Sequence, residues 1–382
     1  MIYLDHAATS PVRREALEAM WPYLTGDFGN PSSHHSLGES AAAGLQAARR
    51  ACAAVLGGRA SGLVFTGSGT EAANLAVKGI ALGSPRGRHL VTSPLEHEAV
   101  LASVEYLQRG HGFEVDYLSP DQLGRVSPAE LAELIRPDTT VVSVQYANNE
   151  IGTLQPIREL AEVARAHRVP FHTDAVQAAG WLPLDVTALG VDALSLSGHK
   201  VGAPKGIGLL WAHGRLALEP VVHGGGQERG RRSGTQNVPG AVALATALAA
   251  AERERPGTAD RVTALRERFV ATVLDRVPSA RLTGHPRHRL PGTASFVFAG
   301  THGEAVLLEL ERRGVVCSSG SACAAGSEEP SHVLTALGLP EPLARTAVRF
   351  TFGRDSSERE AEQAAAAVQE AVAAVQGLRQ AG

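Results

Sequence analysis

The chain is short of sulfur, of aromatic rings and of any block of one charge, and each shortage narrows what it is. Three cysteines, Cys52, Cys317 and Cys323, are a small and odd number in 382 residues, which excludes the disulfide framework of small secreted domains. No apolar run reaches the roughly 20 residues that a membrane helix requires. The opening "MIYLDHAATSP" lacks a basic region leading into a long apolar stretch, so no secretory leader is expected, and the expected location is cytoplasmic. A net charge of −3 gives no global electrostatic case for nucleic acid or an acidic membrane surface. The one short basic run, "GGGQERGRRSG", is too little to change that. His34, His35, His97, His285 and His288 are scattered without the spacing of metal ligands, so no metal site is expected. Aromatic residues make up only 4% of the chain, a compositional bias that excludes no function. There is no internal repeat.

What is present is a globular composition, 44% hydrophobic and 20% charged, in a chain long enough for a substantial core. From about residue 63 to 212, apolar strand-like runs ("GLVFTG", "RHLVTSP", "TTVVSVQYA", "VPFHTDA", "DALSLSG", "GIGLLWA") alternate with helical patterns such as "IRELAEVARAHR". That alternation predicts an α/β fold with a mostly parallel central sheet. An Ala-rich helix over 239–254 follows, then "RERPGTADR", read as a boundary. A second helix over 259–276, further short strands, a helix over 303–313 and an Ala-rich closing helix suggest a smaller α+β domain. The expected division is a large domain over 14–254 and a small one built from 1–13 and 255–382.

In such sheets the loops at the carboxyl ends of strands gather the functional groups. "FTGSGTEAAN" places a small-residue turn between a strand and a helix, where free backbone N–H groups suit a phosphate, with the Thr70 hydroxyl as a further donor. The bland alternative is a tight strand-to-helix turn. The dinucleotide fingerprint is matched only loosely, because the next strand ends without an acid, and no Gly-Lys-Ser/Thr makes it a P-loop. Asp174 closes the strand in "FHTDAVQ", where an unpaired carboxylate is costly to bury. It is either a helix cap or the partner of a cationic ring nitrogen, with Gln177 three residues on. Lys200 ends the following strand in "SLSGHK", flanked by Ser197 and His199. By itself it would be a surface lysine whose stem snorkels. Together, a phosphate loop, an Asp and a Lys at three strand ends are what a protein contributes to pyridoxal phosphate: phosphate anchor, ring-nitrogen partner and Schiff-base amine.

The ordered motifs "YLDHAAT", "FGNPSSHH", "FTGSGTEAANLA", "EHEAV", "NNEIG", "HTDAVQ", "SLSGHK", "HGGGQERGRRSGT", "SSGSAC" and "VRFTFGR" carry a resemblance. Over essentially its whole length the chain resembles the cysteine desulfurases of the class V aminotransferase superfamily, of the NifS/IscS-like group. The resemblance implies the fold type I architecture of pyridoxal phosphate-dependent transferases, with the cofactor in the large domain and a catalytic cysteine loop in the small one. It further implies that Gly69, Thr70, Ser197 and His199 bind the cofactor phosphate, and that Thr235 reaches it from a neighbouring subunit of a homodimer. His97 stacks on the ring and takes part in proton transfer, Asp174 pairs with the ring nitrogen, and Gln177 and Asn149 lie near the phenolic oxygen. Arg349, with Asn149, receives the substrate carboxylate, a task suited to a bidentate guanidinium.

Cys323, among Ser, Gly and Ala in "VVCSSGSACAAGSEEPSH", is the implied sulfur acceptor, and its reactive form is the thiolate. Cys317, on the apolar run before it, is read as core; Cys52, on a helix, as inert. The activity implied is conversion of L-cysteine to L-alanine with a persulfide left on Cys323. The sulfur would pass to an acceptor protein for iron–sulfur cluster assembly or another thiolation pathway, Cys323 touching at most a cluster held by that partner. The alternatives are a selenocysteine lyase, which the longer "SSGSAC" form disfavours, and another lyase or aminotransferase of the same fold, which would not need Cys323.

Overall fold

The computed structural model describes residues 1–83, 86–319 and 330–380. Its centre is a seven-stranded sheet in the spatial order Leu63–Thr66, Gly208–Ala212, Ala193–Ser197, Phe171–Asp174, Thr139–Ser143, His89–Thr92, Glu114–Tyr117. The last five are mutually parallel, and Gly208–Ala212 runs against both of its neighbours. The mostly parallel sheet expected from the alternation is therefore present. Every residue of the six strands other than Glu114–Tyr117 is buried. That burial explains why they read as continuous apolar runs, since helices cover both faces of the sheet. Glu114–Tyr117 lies at the rim and carries Glu114 and Asp116, charges that discourage pairing with another chain.

On one face, Ala72, Leu75, Ala76 and Ile80 of the helix Gly69–Gly83 meet Val64, Leu90, Val141 and Leu210. On the other, Leu45, Leu160 and Leu244 meet Phe171 and Leu194.

A second core surrounds the antiparallel sheet Ala347–Thr351, Thr293–Phe298, Ala280–Leu282. Five of the nine phenylalanines sit in it, Phe269, Phe296, Phe298, Phe350 and Phe352, and Phe269 meets three of the others edge-on. Scarce aromatic volume is thus concentrated where the layer is smallest. Ile2–Tyr3 pairs in parallel with Val315–Val316, which ties the start of the chain to this region.

The structure differs from the sequence expectation at "RERPGTADR". One helix of 39 residues, Val238–Arg276, runs through it with Pro256 inside. Leu244 and Leu248 pack in the large-sheet core, whereas Val262, Phe269 and Val273 pack in the small one. The proline removes one backbone donor, but it lies on an exposed stretch, and burial on both sides holds the axis continuous. The change at this point is one of packing partner, not of backbone. We propose the division 14–254 against 1–13 and 255–382 with this helix as the shared element.

Candidate active site

Strands Leu63–Thr66, Phe171–Asp174 and Ala193–Ser197 end on one edge of the large sheet, and Gly208–Ala212 begins there. A cavity of about 630 Å³ opens on that edge.

The turn after Leu63–Thr66 is a reciprocal cap. Ser68 Oγ accepts from the Glu71 N–H (3.1 Å), and Glu71 Oε2 accepts from the Gly67 N–H (2.7 Å). Arg232 Nε pairs with Glu71 Oε1 at 2.8 Å. The cap leaves the first-turn N–H groups of Gly69 and Thr70 without intrahelical acceptors. Both residues line the cavity, so the positive end of a 15-residue helix faces it. Two glycines permit this approach. A Cβ on Gly69 would lie 2.8 Å from Ser197 Cβ, and one on Gly208 would lie 2.4 Å from the Ser68 carbonyl carbon.

Beside this turn stand Ser197 and His199. His199 Nδ1 lies 3.1 Å from Thr9 Oγ1, and burial, helped by Lys200 and Lys205, lowers its pKa to about 4. The imidazole is therefore neutral. Lys200 closes the single tight turn Gly198–Lys200. Its Nζ donates to the carbonyls of Ala7 (2.5 Å) and Ala8 (2.7 Å). Gln177 Nε2 also donates to the Ala7 carbonyl, at 3.0 Å.

Asp174 is 8% exposed, and its Oδ1 accepts from the Val176 N–H at 2.9 Å. Burial raises its pKa, opposed by the Val176 N–H and by the charges of His97 and Lys200. A carboxylate so placed favours a cationic N–H brought against it. His97 caps the helix Glu98–His111, its Nδ1 accepting from the Ala99 N–H at 3.1 Å. Arg349, 2% exposed, donates through Nη1 to the Asn149 carbonyl and through Nη2 to Asp5 Oδ1, both at 2.8 Å.

Ten of the site residues expected from the sequence line the cavity: Gly69, Thr70, His97, Asn149, Asp174, Gln177, Ser197, His199, Lys200 and Arg349. Thr235 does not line it and is exposed. Cys323 lies outside the described residues. Cys317 packs against the small core, where burial pushes its thiol far up. Cys52 is buried and pushed up to about 12. Neither is a reactive thiol at neutral pH, as expected. Among the described residues no cluster of metal-ligating side chains is present, and no helix is long and apolar enough to cross a membrane.

Two acids at the site went unread in the sequence. Glu96 is fully buried; its Oε1 accepts from the Gln145 N–H at 2.7 Å, and burial raises its pKa well above the usual value. Glu150 is raised for the same reason and accepts from Ser331 Oγ at 2.5 Å. The only trace of them is an acid inside each of two short motifs, "EHEAV" and "NNEIG", and nothing local says that it is buried. His332, also missed, lines the cavity and meets the Glu96 carbonyl at 3.1 Å.

A strand-end lysine, a buried carboxylate and a helix start with free N–H groups thus meet at one cavity, on a sheet with helices on both faces. The family model "Aminotransferase class-V" matches residues 2–363, and the chain belongs to that family. Within it the chain is similar to cysteine desulfurases. It is 45% identical to "Cysteine desulfurase IscS" of Methanosarcina thermophila over 97% of this chain and 92% of that protein. It is 44% identical to "Cysteine desulfurase IscS" of Dictyoglomus turgidum over 92% and 89%. Among solved structures it superposes on a NifS-like protein with a TM-score of 0.90 at 34% identity, covering 97% of this chain and 98% of the other. It also superposes on SspA in complex with cysteine, with a TM-score of 0.81 at 38% identity, over 92% and 99%. The architecture is the fold type I expected from the motifs.

Proposed function

We propose that this chain is a pyridoxal 5′-phosphate-dependent cysteine desulfurase that converts L-cysteine to L-alanine and holds the released sulfur as a persulfide on Cys323. The observation that carries the reading is the convergence of Lys200, Asp174, Arg349 and the Gly69–Thr70 helix start on one cavity. The residues present fit the cofactor. Gly69 lets the helix start close on Ser197, which a Cβ would push away, so their donors share one wall of the cavity as a phosphate requires, and the buried Asp174 carboxylate favours a cationic ring N–H.

In this reading Gly69, Thr70, Ser197 and the neutral His199 would hold the phosphate, and Lys200 Nζ would be the covalent anchor. Gln177 and Asn149 would serve the phenolic oxygen, and His97 would cover the ring. Bound there, the cofactor supplies an electron sink for the substrate α-carbon. Arg349, oriented by Asp5 and the Asn149 carbonyl, receives the substrate carboxylate. Lys200 and His97 move the α-proton. The Cys323 thiolate attacks the substrate sulfur: an S–S bond forms as the C–S bond breaks, and the electron pair leaves with the three-carbon fragment, which is protonated to alanine. The working unit is a homodimer in which the exposed Thr235 serves the other subunit's phosphate. The persulfide supplies a sulfur-acceptor protein of iron–sulfur cluster assembly or another thiolation pathway, in the cytoplasm.

The test is alanine release from L-cysteine by cofactor-loaded enzyme, with and without a thiol reductant. Thiol-stimulated alanine formation is expected, with loss in Cys323→Ser and in Lys200→Ala. A Cys323→Ser enzyme that keeps full turnover would overturn the assignment of that thiol. The same assay with L-selenocysteine separates a selenocysteine lyase.

A further inference from the structure

Behind Asp174, inside the central sheet, lies a line of polar side chains that the desulfurase reading does not use. Ser143, His172, Ser195 and Asp174 come from three adjacent parallel strands. Ser143 is in register with His172, and Ser195 with Asp174. His172 and Asp174 are two residues apart on one strand and so share a face. Ser143, His172 and Ser195 are each 0% exposed. Ser143 Oγ lies 2.9 Å from His172 Nδ1, and His172 Nε2 lies 3.2 Å from Ser195 Oγ. Ser195 stands in register beside Asp174 on the adjacent strand and lowers its basicity.

The proton count sets the direction of the chain. A carboxylate only accepts, so a Ser195 hydroxyl turned toward its register partner Asp174 leaves Ser195 Oγ to accept from His172 Nε2–H. His172 is neutral, since complete burial lowers its pKa to about 3. Its Nδ1 therefore has no proton and accepts from Ser143 O–H. All three donors point the same way, Ser143 to His172 to Ser195 to Asp174. Chains of this kind polarise cooperatively in a low-dielectric interior.

We propose that Ser143, His172 and Ser195 are positioning residues that hold Asp174 as a weakly basic carboxylate, so that the shared proton stays on the ring nitrogen of the bound cofactor. The inference rests on the cofactor reading under "Proposed function". His97 and Lys200 also lower the basicity of Asp174 from the cavity side, and the Asp174 charge in turn helps raise the buried Glu96. The sheet-side chain is the contribution that no cavity residue supplies.

The experiment uses the full chain, loaded with pyridoxal phosphate carrying ¹⁵N in the ring and with ¹⁵N-histidine in the protein. Nitrogen resonances are read in wild type, Ser195→Ala, Ser195→Thr and Ser143→Ala. In wild type His172 is expected as the neutral Nε2–H tautomer across neutral pH. Ser195→Ala should move the ring-nitrogen resonance toward that of neutral pyridine and lower turnover about tenfold, the loss expected of one hydrogen bond to a charged group. Ser143→Ala should do the same to a smaller degree, and Ser195→Thr should restore both. A ring-nitrogen resonance unchanged in a folded Ser195→Ala protein, or an Nδ1–H tautomer in wild type, overturns the proposal. A wild-type chain that takes up no cofactor overturns the cofactor reading instead, and the tautomer of His172 still decides whether the chain runs toward Asp174.

Discussion

At the scale of the residue, burial shifts the ionisable groups of the site away from their usual values. Burial lowers His172 to about 3 and His199 to about 4, and it raises Glu96, Glu150 and Asp174. The two sets act oppositely on stability. A histidine near 6.5 when unfolded binds more protons unfolded than folded below that pH. His172 therefore withdraws stability as pH falls, by up to about 1.4 kcal/mol per pH unit, until the folded group also protonates. Acids with raised folded values act the other way, withdrawing stability as pH rises past their unfolded values. Urea unfolding of wild type and His172→Asn between pH 7 and 4.5 isolates the histidine's share. The expected outcome is a shallower fall toward acid in the variant; parallel curves would mean that His172 titrates normally. Arg349→Lys, at the same scale, should raise KM for cysteine with a smaller change in kcat and lower kcat/KM by about tenfold or more, because a single ammonium cannot reproduce the planar fork.

At the scale of the element, the glycine-rich run "HGGGQERGRRSGT" is where the fold stores local strain. Glu228 and Arg229 have φ of 49° and 59°, a region that side chains other than glycine rarely adopt. A buried pair over-determines them. Arg49 meets Glu228 through two hydrogen bonds of 2.7 and 2.8 Å, with the side chains 3% and 1% exposed. Glu228 Oε2 also accepts from the Phe65 N–H at 3.1 Å. The run is thereby bolted to the strand that leads into the Ser68–Glu71 cap. Glu228→Ala leaves Arg49 as an uncompensated buried charge and should cost about 3–5 kcal/mol. A drop of only a few tenths in denaturant unfolding would show that the pair is dispensable. Within the run, Arg229 donates to the Leu63 carbonyl and Arg232 pairs with Glu71.

At the scale of the whole molecule, the first ten residues link the two cores through the site. Ile2–Tyr3 pairs with Val315–Val316, the Ala7 N–H donates to Thr351 Oγ1, and the Ser10 N–H donates to the His199 carbonyl. The Ala7 and Ala8 carbonyls hold Lys200, and Asp5 holds Arg349. Removing residues 2–9 should therefore lower both thermal stability and cofactor retention, read as Tm and as visible absorbance after dialysis. A truncated chain that retains cofactor as the full chain does would refute this linking role.

Much of this is legible in the order of amino acids alone. Strands and helices follow from periodicity, and Asp174 and Lys200 become legible together, because a helix cap or a surface lysine explains either one alone but not both beside a phosphate-type turn. The helix Val238–Arg276 is not legible as one element, because Pro256 and Gly257 carry a local signal of interruption that packing on either side overrides. Glu96 and Glu150 are not legible as acids of raised pKa, nor His172 as a neutral histidine. Their charge state depends on burial by segments tens to hundreds of residues away; Ser331, which donates to Glu150, is 181 positions distant.

By itself, then, the sequence determined the alternation of elements, the chemical kind of each group at the strand ends and the family motifs, all of which are properties of short stretches. Only the tertiary structure decided which acids are raised, which histidines stay neutral and which carbonyls hold the lysine. Desolvation and hydrogen bonding are set by neighbours in space, and in this chain those neighbours come from opposite ends of it.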